Sequence, residues 1–178
     1  MNQKRWHAVY VKSRTEKKVK IELDYQGIEV YLPIQKKLRQ WSDRKKWVDF
    51  PLISGYLFVH ISPKEYDRVL QTIGVVSYVR FDGTAAIIRD EDIELIKRLL
   101  RDYDKEIEVS FNYFEKGDEV EVIGGPLSGI KGKLIYLKGK NKVAVQIENL
   151  KIALTVELSS GEIKKILAPG QKSFLSGR

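Results

Sequence analysis

Residues 117–134 read GDEVEVIGGPLSGIKGKL, and the architecture of the C-terminal third follows from them. Val120 and Val122 alternate with Glu119 and Glu121, the two-residue period of a strand with one face buried and the other in water. A turn punctuated by glycines follows, with Pro126 fixing φ at one corner, and the chain leaves it as a second strand. Downstream, β-branched residues recur over 143–147 and 152–158, with Lys138, Gly139, Lys140 and Asn141 as the turn before them. These segments predict a small all-β barrel of about five strands.

Working back from this hairpin, RDYDKEIEVS at 101–110 has few bulky apolar residues and many changes of charge sign, and is read as the linker. Before it, strand and helix signals alternate. WHAVYV (6–11) is a strand, and Ser13 with Glu16 gives a capping box for a helix that Gly27 ends. Residues 30–39 and 46–50 flank the polar turn Ser42, Asp43, Arg44 as a basic hairpin. LISGYLFVHI (52–61) is apolar nearly throughout, as a strand buried on both faces requires. Ser62, Pro63 and Glu65 open a second helix, Asp82 and Gly83 turn a short hairpin, and Asp90, Glu91 and Asp92 place negative charge at the start of a third helix with Ile93, Ile96, Leu99 and Leu100 as its stripe. The expected fold class is α+β: a ferredoxin-like α/β sandwich over 1–103, a linker at 104–113, a barrel over 114–168 and a frayed tail at 169–178.

Among 178 residues there is no cysteine, so disulfides and thiolate metal sites are excluded. Without a long apolar run, the chain is expected to be cytoplasmic and to act away from membranes. The net charge of +8 is uneven: residues 1–50 carry 13 Lys+Arg against 6 Asp+Glu, residues 51–110 carry 8 against 11, and the remainder 11 against 7. A basic first part attracts polyanions, although a solvated basic face gives the same count. His7 and His60 stand far apart without cysteines nearby, helix capping accounts for the aspartates at 90 and 92, and no phosphate loop or nucleophile elbow is present. No catalytic residue, metal site or cofactor is expected.

The segment 117–134 resembles a KOW motif, with Gly117, Asp118, Val120, Val122, Gly125, Gly129 and Gly132 at its positions. A spacer barrel of SH3-like form remains open on that motif alone. Together, the tryptophan-led first strand, the basic hairpin, PLISGYLFV (51–59) and the C-terminal KOW segment resemble the NusG family of transcription elongation factors, and within it the specialised RfaH and UpxY antiterminators. The resemblance implies an NGN-type N-terminal domain that binds the RNA polymerase clamp helices through an apolar depression, formed here by Ile53, Gly55, Tyr56 and Phe58, with a KOW domain behind it. Many family members carry Phe-Pro where Ile53 and Ser54 stand. In the general elongation factor, aromatic residues of the KOW barrel hold ribosomal protein S10 or Rho; here the corresponding loop offers Leu127 and Ile130, and IENLKIAL offers Leu150 and Ile152, which favours a specialised role. A monomer is expected.

On the hairpin, Lys36, Lys37, Arg39, Arg44, Lys45 and Lys46 surround Trp41 and Trp47. Cations for phosphates beside indoles for unpaired bases is the combination of single-strand binders, so upstream or non-template DNA, with nascent RNA as a further candidate, is the expected contact. Trp47 packed in the core is the alternative. Arg14, Lys17, Lys18 and Lys20 form a second basic patch. Two rival functions stay open: a housekeeping factor coupling polymerase to ribosome or Rho, and a ribosome-associated KOW protein that binds RNA.

Overall fold

A computed structural model describes residues 3–111, 117–137 and 139–166. Strand β1 (Arg5–Val11) leads into helix α1 (Glu16–Tyr25), strand β2 (Glu29–Tyr31), the hairpin β3 (Ile34–Gln40) and β4 (Lys45–Pro51), and strand β5 (Tyr56–Ile61). Helix α2 (Tyr66–Leu70), the short strands β6 (Val75–Tyr78), β7 (Arg80–Phe81), β8 (Thr84–Ala85) and β9 (Ile87–Ile88), and helix α3 (Asp90–Asp102) complete the N-terminal unit. Its sheet runs β2-β5-β1-β6 with β9 also on β1, all antiparallel, while β3 and β4 form a ribbon of their own.

The doubly apolar run that ends in β5 explains the layering. Leu57, Val59 and Ile61 face Val19 and Leu23 of α1 and Val69 of α2. Tyr56 and Phe58 alternate to the other side and join Ile93, Ile96 and Leu99 of α3. The sheet is therefore covered on both faces, as its sequence requires.

Strands β10 (Glu108–Ser110), β11 (Asp118–Val122), β12 (Lys131–Leu137), β13 (Lys140–Ile147), β14 (Ile152–Val156) and β15 (Ile163–Lys165) build a β-rich C-terminal unit in the order β10-β14-β13-β12-β11-β15. Six strands stand where about five are expected, because flanking segments add the outer two. Strand β10 comes from the stretch read as linker and pairs with β14 through Glu108–Thr155, Val109–Leu154 and Ser110–Ala153. Val120 and Val122 are buried as their alternation predicts. The expected turn at 138–141 shortens, since β13 begins at Lys140; Lys138 and the tail 169–178 lie outside the described residues.

Three local readings are corrected. Ser13 and Glu16 form no capping box: Arg14 takes φ 66°, Thr15 is the N-cap, and the buried Glu16 carboxylate accepts instead the Gly55 N–H at 2.9 Å. The strand read from Leu52 starts at Tyr56, because Gly55 at φ 77° turns the chain and its carbonyl accepts the Val11 N–H. The helix after Ser62 does form a capping box, with Ser62 N and Oγ both donating to Glu65 Oε2 at 2.9 and 2.8 Å, but its first turn is a 3-10 turn and α2 has five residues.

The Ser62 backbone N–H holds the Glu65 carboxyl below its ordinary value of 4.5, helped by the Ser62 hydroxyl, Lys4 and Arg68. A depressed folded-state value means stabilisation present above the ordinary value and lost as pH falls through the lowered one. Glu65→Gln is therefore expected to flatten the acid limb of stability below pH 4.5, read by urea unfolding at stepped pH. An unchanged limb would place the acid sensitivity elsewhere.

Candidate functional site

Of the residues expected to form the apolar shelf, Ile53, Tyr56 and Phe58 are covered and Gly55 is half-buried. Ile53 is 1% exposed, Tyr56 5% and Phe58 0%. Phe58 pairs across strands with Ala8 and Tyr31, and the Tyr31 ring stacks at 6.1 Å. Over Tyr31 sits the Lys97 ammonium of α3, 5.5 Å from the ring. The Tyr56 hydroxyl donates to Tyr10 Oη at 2.7 Å, and the Phe111 ring lies 6.2 Å from that of Tyr56. Burial, then the bond to Tyr10, pushes the Tyr56 phenol well above its ordinary range, so it stays protonated and donating.

What closes this face is the rest of the chain. One apolar cluster runs from Trp6, Tyr56 and Phe58 through α3 and Ile107 to the interior of the C-terminal unit. Polar contacts fix the arrangement. Arg98 donates to the carbonyls of Pro126 and Ser128 at 3.0 and 2.6 Å, Asn149 donates to the Ile87 carbonyl at 2.5 Å, and the Gln35 amide makes a reciprocal pair with the Ile107 backbone at 3.1 and 3.2 Å. A cavity of 490 Å³ is lined by Ile53 and Ser54 together with Val109, Phe111 and Leu137.

The hairpin is the contrary case. In its register Lys36 opposes Asp49, Leu38 opposes Trp47 and Gln40 opposes Lys45; Lys37, Arg39, Lys46, Val48 and Phe50 take the other face. Trp41 and Trp47 are 58% and 62% exposed, so Trp47 is not a core residue. Arg39 lies 5.0 Å from the Phe50 ring centre, Lys37 pairs with Glu106 at 2.6 Å, and Arg44 stands 3.9 Å from Asp43. Lys36, Lys45 and Lys46 form no ion pair among the described residues. Of the second basic patch, Arg14, Lys17 and Lys18 are exposed while Lys20 bonds Asp24 at 2.5 Å.

The C-terminal residues read from the sequence as a partner surface lie inside: Leu127, Ile130, Leu150 and Ile152 are all buried. Among the described residues the large exposed apolar side chains there are Tyr136, at 72%, Ile123 and, less so, Ile166. Sequence reasoning missed Tyr136, although its place between Ile135 and Leu137 in an alternating strand already assigns it to the outer face. Each histidine has a structural duty. His7 Nδ1 lies 3.1 Å from the Ala86 carbonyl and burial lowers its pKa; His60 lies 2.7 Å from Glu29 and stacks on Trp6. Arg89 binds the buried Asp92 through two nitrogens at the start of α3. Among the described residues no three His, Cys, Asp or Glu side chains could hold a metal ion, and no helix is long and apolar enough to cross a membrane.

The family model described as transcription termination factor nusG matches residues 4–97, from β1 into α3. The chain belongs to the NusG family. This family comprises transcription factors without catalytic activity. A solved structure reported as domain interaction in Thermotoga maritima NusG is similar to this chain, with a TM-score of 0.57 and 24% identity, covering 93% of this chain and 98% of that one. That likeness supports a shared NusG fold. A chain of the MjSpt4:Spt5 complex is 22% identical, with a TM-score of 0.31 and coverage of 90% of this chain and 97% of that one. No curated protein sequence matches.

Proposed function

We propose that this NusG-family chain is a transcription antitermination factor of the RfaH and UpxY type, which binds RNA polymerase at its clamp helices through Ile53, Gly55, Tyr56 and Phe58 and suppresses pausing or termination at specific operons. The hairpin meets the nucleic acid of the elongation complex, and the C-terminal unit is a KOW domain. One observation carries the reading: the family match spans the sheet and the hairpin, and that hairpin holds its cations and two indoles in solvent. Large aromatic faces suit an anchor against an apolar helix tip. Because that face shares its core with α3, Ile107 and the C-terminal unit, binding the clamp requires α3 to shift as well as residues 107–111 and the C-terminal unit to leave. The covered state thus lowers apparent affinity by the fraction of open molecules.

Weakening the polar latch tests this. The double variant Arg98→Ala, Asn149→Ala removes three hydrogen bonds between the units and touches neither shelf nor hairpin. It is expected to bind polymerase about tenfold more tightly, since loss of roughly 1.4 kcal/mol from the closed state shifts a mostly closed population by that factor. Equal or weaker binding would show that the shelf is not what the units hide. In a pausing assay, the fourfold variant Lys36→Ala, Arg39→Ala, Lys45→Ala, Lys46→Ala is expected to lose most of the pause suppression and to flatten the dependence of nucleic-acid binding on salt. Full retention of both would remove the hairpin from the mechanism.

A second reading has support from Tyr136. An aromatic side chain exposed on the C-terminal unit is what coupling to ribosomal protein S10 or to Rho would need. Loss of S10 or Rho capture by full-length Tyr136→Ala would favour this housekeeping role.

A further inference from the structure

On the side of the N-terminal unit that carries α1, three large apolar side chains stand in solvent: Ile21 is 68% exposed, Tyr25 89% and Ile73 86%. Ile21 and Tyr25 are one helical turn apart and so are neighbours on α1. Ile73 is brought to the same helix by the residues on either side of it. The Thr72 hydroxyl accepts the Gln26 amide N–H at 3.1 Å, and Gly74 lies so close to α1 that a Cβ there would meet Val19 Cγ2 at 2.6 Å. Lys17 and Lys18 stand one turn before Ile21, and Arg14 precedes them. The Lys12 N–H donates to the Gly74 carbonyl at 2.9 Å, which sets Lys12 next to the 72–74 turn. These four cations are exposed and form no ion pair among the described residues. Lys20 is already paired with Asp24, and Glu22 is an exposed acid between the two apolar positions of the helix.

We propose that this surface docks an acidic amphipathic segment of a second protein, distinct from polymerase, whose apolar side chains cover Ile21, Tyr25 and Ile73 and whose carboxylates meet Lys12, Arg14, Lys17 and Lys18. A single apolar side chain on a surface is ordinary, but three gathered on one helix and its adjoining turn form a patch of the kind that partners cover. Tyrosine is a frequent anchor at such contacts. Charge complementarity sets the sign of the partner: four unpaired cations steer an anionic segment to the patch and repel a basic one. A nucleic-acid strand fits less well, since aliphatic side chains neither stack on bases nor bond phosphates, and the Glu22 carboxylate repels them. Val19 and Leu23 of α1 pack on Leu57 and Val59, whereas Tyr56 and Phe58 face α3, so the patch lies across the sheet from the shelf. A partner held there leaves the shelf and the C-terminal unit untouched. The inference goes beyond the reading of the clamp and does not rest on it.

The full chain is titrated with a labelled helical peptide of leucine and glutamate whose leucines share one face, and with a peptide of the same composition whose leucines are spread around the helix. Fluorescence anisotropy is the readout. Binding of the first about tenfold more tightly is expected, the effect of covering a few anchors. The double variant Ile21→Gln, Ile73→Gln should abolish that preference while keeping every cation, and Lys17→Glu with Lys18→Glu should weaken the first peptide by about tenfold or more. All four positions are exposed, so the urea midpoint should not move. Equal binding of the two peptides by the parent, or an isoleucine variant that keeps the preference, would overturn the docking surface. A thymidine decamer whose affinity falls in the isoleucine variant would assign the patch to nucleic acid and overturn it too. Arg98→Ala, Asn149→Ala should bind the first peptide as the parent does, whatever it does to polymerase binding; tighter peptide binding would place the peptide on the shelf. In the cells from which the gene comes, benzoylphenylalanine in place of Tyr25 should cross-link to an acidic amphipathic stretch of a protein other than polymerase. Cross-links to polymerase, to nucleic acid, to a second copy of this chain, to a stretch without that chemistry or to nothing would overturn the proposal.

Discussion

Phe58→Ala is expected to destabilise the N-terminal unit by about 3–5 kcal/mol, the range for truncating a fully buried aromatic, measured by urea unfolding. The side chain is completely buried, between Tyr31 and α3 on the face opposite α1. Its removal leaves a cavity that rigid neighbours on a paired central strand cannot close. Tyr56→Phe should cost about 1 kcal/mol, one hydrogen bond to a partly exposed tyrosine. The contrast matters for function, because a loss of polymerase binding in Phe58→Ala mixes unfolding with the loss of an anchor. Tyr56→Phe keeps the ring and separates them. If Phe58→Ala loses less than about 1 kcal/mol, the unit is looser around β5 than its burial implies.

Gly132→Val is the second large effect. A Cβ there would lie 2.6 Å from the Ala144 carbonyl oxygen and 2.8 Å from Val143 Cγ1, against the backbone of the neighbouring strand. The β12–β13 ladder must part to admit it, at a cost of about 1–3 kcal/mol for the Cβ alone, and the branched side chain of valine adds to it. The urea midpoint of unfolding should fall accordingly. Gly124→Ala is the control: its added carbon meets nothing nearer than 3.7 Å, and a change within about 0.5 kcal/mol is expected. Equal loss at both positions would point to glycine content in general rather than the close approach at Gly132.

How far these features could be read in advance depends on the range of the forces that set them. The alternation at 118–122 and the hairpin turn at Asp82 and Gly83, both with positive φ, are decided by immediate neighbours and fold as read. The capping box at Ser13 does not form, because Glu16 is taken by Gly55, 39 positions away. The strand at 52–61 starts late for the same kind of reason: hydropathy marks Leu52 and Ile53 as buried, which they are, but a turn can bury them as well as a strand can. Tyr136 was within reach of period-two counting on its own strand.

Residue type and spacing alone determined the doubly apolar β5, the basic ribbon and the alternation of β11, since hydrophobic period and turn chemistry act over a few residues; the family came from the resemblance of whole motifs and from the match over residues 4–97. Tertiary structure decided that Tyr56 and Phe58 lie covered, that Trp47 stands in solvent, and that the interior of the C-terminal unit runs on into the α3 face of the sheet. Those outcomes depend on surfaces brought together by docking, such as Gln35 on Ile107 and Arg98 on Ser128. Apolar area says that a face will be buried; only the packed chain says by what.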